Sequence, residues 1–385
     1  MNAVLAADRP RLQVDLAALT YNWHTVRQAF RGKHVGAVVK NDAYGLGMTT
    51  VATLLYRLGC RHFWVASIDE ALHLRALLPA PETRILVLHG LAGAPAQDFA
   101  ARALTPVLTG PHELPALKGH AARHGSALPV AVHLDTGLTR LGFSACDLPT
   151  LQAGAALWTD LQVQAWVGHL GRFDDPSTPD CVRQRADFSD WTAKLPHAQR
   201  SIATSSSVFA SPDWHFDHAR VGSALYGVQT SVAGAQPLRT VARLLAPVLR
   251  VAEVPAGTEI GYAGSYRTPR ASRIATVAIG YGDGLPVCLA NTGMLFLGER
   301  AAPVVGGIAM GLLGLDVSAF SPGEVRPGQW AEVFGPRQAL EKLAAAAGLA
   351  PNVVLVNAAR LANRQYEGWP LAGMTAAPLS APGCT

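Results

Sequence analysis

Val35-Gly36-Ala37-Val38-Val39-Lys40-Asn41-Asp42-Ala43-Tyr44-Gly45-Leu46-Gly47 begins as a short apolar, β-branched run and stops at one lysine. A polar, glycine-bearing segment follows, and then a helical pattern from Thr49 to Leu58. The order is strand, tight loop, helix, with a cation at the carboxyl end of the strand. The chain holds five lysines (33, 40, 118, 194 and 342) among its 32 basic residues, so a lysine closing an apolar strand stands out. A desolvated amine is the cationic side chain that most readily gives up its proton and becomes a nucleophile.

The same unit repeats outward from this stretch. Further apolar runs lie at His62–Ala66, Ile85–Leu88, Leu104–Leu108, Pro129–Leu134, Leu161–Gly168, Ser201–Thr204 and Ala219–Val221. Between most of them are helical patterns such as Asp69–Leu78, Ala96–Ala103, His112–His124 and Asp180–Leu195. Strands alternating with helices make βαβ units and a parallel sheet. Eight strands predict an α/β fold closed as a (β/α)8 TIM-like barrel over residues 11–235, with functional groups at the strands' carboxyl ends. From about residue 236 the pattern becomes short strands joined by glycine- and proline-rich turns, with Arg337–Ala347 as the clear helix. Residues 1–10 plus 236–375 are expected to form a mostly β C-terminal domain, and 376–385 a loose tail.

Hydrophobic residues make up 49% and charged residues 15%, which supports a large core and argues against disorder. The net charge of +5 comes from scattered arginines without basic runs, which argues against a nucleic-acid partner. No apolar run approaches the roughly 18 residues a membrane span needs. Met1–Pro10 carries charges where a secretory signal needs an apolar core, so a cytoplasmic enzyme is expected. Cysteines 60, 146, 181, 288 and 384 are isolated, which fits reduced thiols and no metal site.

The predicted strand ends gather chemistry on one rim. Lys40 and Tyr44 close the first unit, Asp135-Thr-Gly137-Leu-Thr-Arg140-Leu-Gly the fifth, and His169 the sixth. Thr204-Ser205-Ser-Ser207 closes the seventh and Arg220-Val-Gly222-Ser223-Ala-Leu-Tyr226-Gly the eighth. Hydroxyls with glycine amides suit a phosphate, and arginine suits a carboxylate or an aromatic nitrogen. A rim lysine beside a phosphate site points to pyridoxal phosphate held as a Schiff base. Each residue also has a plain structural reading. The serines can cap the next helix, Arg220 can pair with Asp217, and His169 can be a satisfied core histidine. Their joint placement is what separates the readings.

Over nearly its whole length the sequence resembles the alanine racemase family of fold-type III pyridoxal-phosphate enzymes. The likeness rests on Lys40-Asn-Asp-Ala-Tyr-Gly-Leu-Gly, the Asp135–Gly142 and Arg220–Gly227 segments, Ile260-Gly-Tyr262-Ala-Gly-Ser-Tyr, and Ile279-Gly-Tyr281-Gly-Asp-Gly. The resemblance implies that Lys40 carries the cofactor and that Lys40 and Tyr262 are bases on opposite faces of the substrate Cα. It implies that Tyr44, Ser205, the backbone at Gly222 and Ser223, and Tyr366 hold the phosphate. Arg220 would donate to the pyridine nitrogen and contact His169, which meets Tyr262. Arg140, Met310 and Tyr281 would line the substrate mouth, with Tyr262, Met310 and Tyr281 supplied by a second copy in a homodimer. A phenol ordinarily titrates near 10, so a tyrosine base needs positive charge nearby.

The match departs from the family around the substrate mouth. His133 stands where a carbamylated lysine usually orients the loop arginine, and Gly311 follows Met310 where an aspartate is usual. Thr204 replaces an asparagine, Val287 and Gly307 replace arginines, and Arg172 stands where a small or acidic residue is usual. Alanine is the first expected substrate. The alternative is a larger, acidic or basic amino acid (serine, lysine, ornithine, glutamate), with Arg172 receiving the side chain where it is acidic or polar. A fold-type III decarboxylase would need a cysteine-aspartate motif and a glycine triplet, neither of which can be placed here. A cofactor-homeostasis protein would lack the second domain.

Overall fold

The computed structural model describes residues 8–369 apart from 153–157, 159, 173–174 and 231–235; the expected tail at 376–385 lies outside the described residues. Eight parallel strands form the first sheet: β2 (His34–Val38), β3 (His62–Val65), β4 (Arg84–Val87), β5 (Leu104–Leu108), β6 (Leu128–His133), β7 (Leu161–Val167), β8 (Gln199–Ser201) and β9 (His218–Val221). Their order is β8-β7-β6-β5-β4-β3-β2-β9. The seam between β8 and β9 is closed by the Asp217 amide on Arg200 O (3.0 Å), the Arg220 amide on Ala203 O (2.9 Å), and the Ser201 hydroxyl on His218 O (2.8 Å).

Alternation along each strand sends every second side chain into the barrel. Val38, Trp64, Leu86, Val107, Ala131, Ala165 and Val167 pack there as a separate small core. Gly36 makes room for Trp64, since a Cβ at residue 36 would lie 2.5 Å from the indole nitrogen. One layer below, at the amino-terminal end, the rings of His34, His62 and His218 stack with centroids 4.7, 4.8 and 6.1 Å apart.

This plug makes the barrel acid-labile. Burial first, then His34 and Arg84, push His62 down to about 4. His218 is held well below its ordinary value by burial, then by His62, Arg220, His34 and Arg84. His34 is lowered by burial, Arg84 and Lys33, with Asp217 opposing. An unfolded chain takes up these protons near pH 6.5, whereas the folded chain refuses them until the pH is much lower. Stability is therefore lost as pH falls below about 6.5, by up to about 1.4 kcal/mol per pH unit for each of His62 and His218, and by less for the more exposed, solvent-screened His34. Thermal unfolding followed from about pH 8 to pH 4 should show the midpoint falling over that window; a flat midpoint would contradict the assignment.

The second sheet runs β13-β16-β15-β14-β17-β10-β1-β18, and β10 also pairs with β13, so six of its strands join in a ring. Its members are β1 (Arg11–Asp15), β10 (Ala242–Val254), β13 (Ser272–Val277), β14 (Met294–Leu297), β15 (Arg300–Val305), β16 (Leu313–Asp316), β17 (Trp330–Phe334) and β18 (Asn363–Glu367). A hairpin of β11 (Glu259–Ile260) and β12 (Tyr266–Arg267) stands apart from it.

Two expectations are corrected here. Arg11–Asp15 belongs to the second sheet, antiparallel to β10 and parallel to β18, and not to the barrel segment beginning at residue 11. Leu12 and Val14 are its buried face, and only partners far along the chain can cover them. A second helix, Pro351–Leu361, follows Leu340–Ala346, where the sequence marked one. Pro351 starts it from the first-turn position that proline tolerates.

Candidate active site

Lys40 leaves β2 and the chain immediately turns the wrong way. Asn41, Asp42, Ala43 and Tyr44 have φ of 51°, 54°, 54° and 58°, one left-handed helical turn ending in Gly45 at 85°. Such a turn costs L-residues roughly 1–2 kcal/mol each, so it persists only where it is held. The Ala43 amide donates to Val39 O and the Gly45 amide to Asn41 O, both at 2.9 Å. Asp42 accepts from the Met48 amide at 2.6 Å and pairs with Arg364 of β18 at 2.6 Å. The turn throws Lys40 and Tyr44 to the same side, into a cavity of about 400 Å³ at the carboxyl ends of the barrel strands.

One end of the cavity is built of hydroxyls and amides. Ser205 Oγ accepts from the amides of Gly222 (3.3 Å) and Ala224 (3.1 Å), which leaves its own proton free to donate. Burial pushes the Tyr44 phenol up to about 12, against the opposing hydrogen bond to Ser223, so it stays protonated. Gly222 is required there: a Cβ would lie 2.5 Å from the Tyr44 hydroxyl. Ser223 Oγ accepts from Asn352 Nδ2 at 3.0 Å, and Thr230 Oγ1 is buried with no partner among the described residues. Converging donors, none of them a carboxylate, fit a phosphate.

The opposite wall is cationic. Arg220 donates to Ser201 O (2.8 Å), Ser201 Oγ (2.7 Å) and Gly168 O, and not to Asp217, which takes Lys33 and Arg200. Its Nη2 lies 3.3 Å from His169 Nδ1. A guanidinium can only donate, so Nδ1 accepts and the neutral ring carries its proton on Nε2. Burial, then Arg220, Arg140, His133 and Lys40, hold His169 well below its ordinary value and keep it neutral. Burial and then Arg140 push Arg220 down to about 9, which leaves it charged at neutral pH. His133, pushed down to about 4 by burial and then by Arg220 and Arg140, is a neutral imidazole. Lys40 is lowered by burial first, then by Arg140, with Glu70 opposing and Arg220 adding.

Lys40, Tyr44, Arg140 and His169 thus meet on the cavity wall, as do Ser205, Arg220, Gly222 and Ser223. Tyr366 does not: its hydroxyl donates to Leu46 O at 3.0 Å, which ties β18 to the lysine loop instead of reaching the phosphate end. Asn352, which sequence reading missed, lines the cavity and donates to Ser223; Pro351 as a helix start was the signal that could have found it. Arg172 is exposed and off the cavity wall among the described residues, and its charge acts on Asp175.

Tyr262, Tyr281 and Met310 stand elsewhere on the chain, 77%, 48% and 65% exposed. Tyr262 is at the tip of the β11–β12 hairpin, between Gly261 (φ 73°) and Ala263 (φ 60°). The Tyr281 amide bonds Ala309 O and the Gly282 amide bonds Met310 O, which brings these two loops together. A Cβ on Gly307 would lie 3.5 Å from Tyr262 O, so the backbone of the hairpin tip passes close to the loop that leads to Met310.

Comparison with known proteins agrees with the family resemblance read from the sequence. Residues 14–230 match the family described as "Alanine racemase, N-terminal domain" and residues 241–366 the one described as "Alanine racemase, C-terminal domain". The alanine racemase of Rhodospirillum rubrum is 37% identical over 361 residues, covering 93% of this chain and 96% of the relative. The protein named "Alanine racemase, catabolic" of Agrobacterium fabrum is 37% identical over 355 residues, 92% of this chain and 91% of its own. The crystal structure of alanine racemase from Bartonella henselae, solved with covalently bound pyridoxal phosphate, aligns with TM-score 0.89 at 31% identity, covering 93% of this chain and 99% of that one. On its barrel, its β domain and the lysine-bearing cavity between strand ends, the chain belongs to the alanine racemase family.

Proposed function

We propose that the chain interconverts L- and D-alanine with pyridoxal phosphate as cofactor, with Lys40 on one face and Tyr262 of a second copy on the other, one removing the Cα proton while the other supplies a proton to the opposite face. The observation that carries it is one amine projecting into a cavity with a hydroxyl cradle at one end and a pinned guanidinium at the other. When bound, the cofactor supplies the electron withdrawal that makes the Cα proton removable. Lys40 would hold it covalently, Tyr44, Ser205, Gly222 and Ser223 would take its phosphate, and Arg220 would face its ring nitrogen.

The chain's own groups account for the proton transfers. Burial and two arginines favour the neutral Lys40 amine, which is the form that accepts a proton. His169 offers an Nε2 proton, because its Nδ1 is taken by Arg220; that N–H suits the deprotonated oxygen of Tyr262. Arg140, exposed at the cavity rim, suits the substrate carboxylate. Tyr262, Tyr281 and Met310 expose aromatic and thioether surface that a lone subunit has no use for, which supports a homodimer with shared sites. Residues 16–230 serve as the cofactor barrel, and 11–15 with 242–367 as the β domain that serves the neighbouring site.

The position of Arg172 removes the support for an acidic side chain, so alanine stays first. Single enantiomers of alanine, serine, lysine, ornithine and glutamate should be incubated with the enzyme and analysed on a chiral column. L- and D-alanine should each approach an equal mixture, faster than the others. Faster racemisation of any other member of the panel would overturn the substrate assignment.

A further inference from the structure

The left-handed turn after Lys40 is held from a side that the cofactor reading does not use. Glu70 lies in the first turn of the helix Ile68–Leu77, whose amino end is capped by Ser67 Oγ at 3.3 Å from the Glu70 amide. Its two oxygens go separate ways: Oε1 accepts from the Asn41 amide at 2.6 Å and Oε2 from the Ala66 amide at 2.7 Å. Asn41 is the residue after Lys40, and Ala66 follows the end of β3 and lines the cavity. One carboxylate thus joins the ends of β2 and β3 where the lysine leaves its strand. Hydrogen bonds from amides to an ionised carboxylate are roughly twice as strong as neutral ones, enough to help hold a turn that is unfavourable in isolation.

Charge makes the placement specific. The groups acting on the Lys40 amine are Arg140 from the loop after β6, Arg220 from β9, and Glu70 from the helix after β3; His169, after β7, is neutral. Glu70 supplies the negative charge in that set. Glu113 repeats the device two strands away, accepting from the amides of Leu91 and Thr109 (2.6 Å for the latter) and the Thr109 hydroxyl (3.0 Å). It is not among the groups that act on Lys40. The barrel uses bridging carboxylates twice, and one of the two sits beside the lysine.

We propose that Glu70 is the positioning residue of Lys40: its carboxylate fixes the first amide of the left-handed turn, aims the amine into the cavity, and balances the two arginines that face it. The proposal rests on the reading of Lys40 as the cofactor lysine.

The test uses the full-length chain freed of cofactor and reloaded with pyridoxal phosphate. Covalent incorporation is trapped with borohydride and mapped to its peptide across a pH series. Glu70→Gln keeps the shape but offers one acceptor and no charge. Its plateau rate of incorporation should fall about tenfold or more, because the amine is misplaced. Its midpoint should move to lower pH by about half a unit, because losing a neighbouring negative charge favours the neutral amine. Glu70→Asp keeps the charge on a shorter arm and should lose rate at a nearly unmoved midpoint; this variant carries the test if E70Q does not fold. Glu113→Gln should melt earlier yet keep the wild-type midpoint and plateau. Wild-type behaviour of E70Q or E70D, or an equal midpoint shift in E113Q, would overturn the proposal. Lys40→Ala separates the two readings: undiminished trapping in K40A would overturn the Lys40 assignment and this inference with it, whereas loss in K40A beside a normal E70Q would sink Glu70 alone.

Discussion

Replacing Lys40 by alanine should lower racemisation in both directions by about four orders of magnitude, because it removes the covalent anchor and a proton acceptor at once. The side chain sits at the only point where β2, the left-handed turn and the cavity coincide among the described residues. Lys40 is the one lysine on the cavity wall among the described residues, and Lys33, at the far end of the same strand, is paired with Asp217. Lys40→Arg should fail as completely, since a guanidinium keeps the charge but neither attacks a carbonyl carbon nor accepts a proton at neutral pH. Initial rates by chiral analysis, with borohydride trapping on the same samples, check both halves. A K40A enzyme retaining more than about 1% of wild-type rate would show that the base lies elsewhere.

The cationic wall explains why the lysine can work at neutral pH. Burial first, and then Arg140 and Arg220, lower Lys40 and hold His133 and His169 neutral, so five basic groups sit close together with fewer charges than their count suggests. Two neutral imidazoles beside two arginines give the wall hydrogen-bonding capacity without further positive charge. Arg220 keeps its charge by donating to Ser201 and Gly168 inside the barrel.

Much of this was legible in the sequence because it is local. Most barrel strands are short β-branched or apolar runs whose carboxyl ends follow from their last apolar residue, which located Lys40, His169 and Arg220. The exception is the polar Gln199–Ser201, which lies upstream of the run Ser201–Thr204 read as that strand. The left-handed turn was half legible: Asn41 and Asp42 tolerate positive φ, but nothing in Ala43 or Tyr44 announces it. What could not be read were contacts between residues far apart in the chain. Arg11–Asp15 looks like the start of the barrel until β10 and β18 cover it. Tyr366 was placed at the phosphate by the family resemblance alone. Its strand pairs with β1, and that register sends the hydroxyl to Leu46 O. Pro351–Leu361 carries the β-branched run Val353-Val354, which weakens a helical reading, so Asn352 went unnoticed. Glu70 is thirty residues from the lysine it serves, and only the fold brings them together.

Tyr262→Phe should slow racemisation both ways and split the two enantiomers in their Cα proton exchange. Phenylalanine fills the same space, so cofactor loading should be unchanged, but the proton on the Tyr262 face has no acceptor. Steady-state racemisation should fall by about two to three orders of magnitude. Exchange of the Cα proton in deuterated water should then survive for the enantiomer that presents its proton to Lys40 and be lost for the other. Tyr262 is exposed and does not line the Lys40 cavity of its own chain, which adds a second, sharper readout. K40A and Y262F chains should each be nearly inactive alone. If the tyrosine acts across subunits, a mixed dimer has one site with both substitutions and one with neither. Unfolding and refolding the two together at equal concentration should therefore restore about a quarter of wild-type activity, since half the dimers are mixed and each has one intact site. If the tyrosine acts within its own chain, every site keeps one substitution and mixing restores nothing. That outcome would remove both the shared site and the purpose assigned to the exposed Tyr262, Tyr281 and Met310.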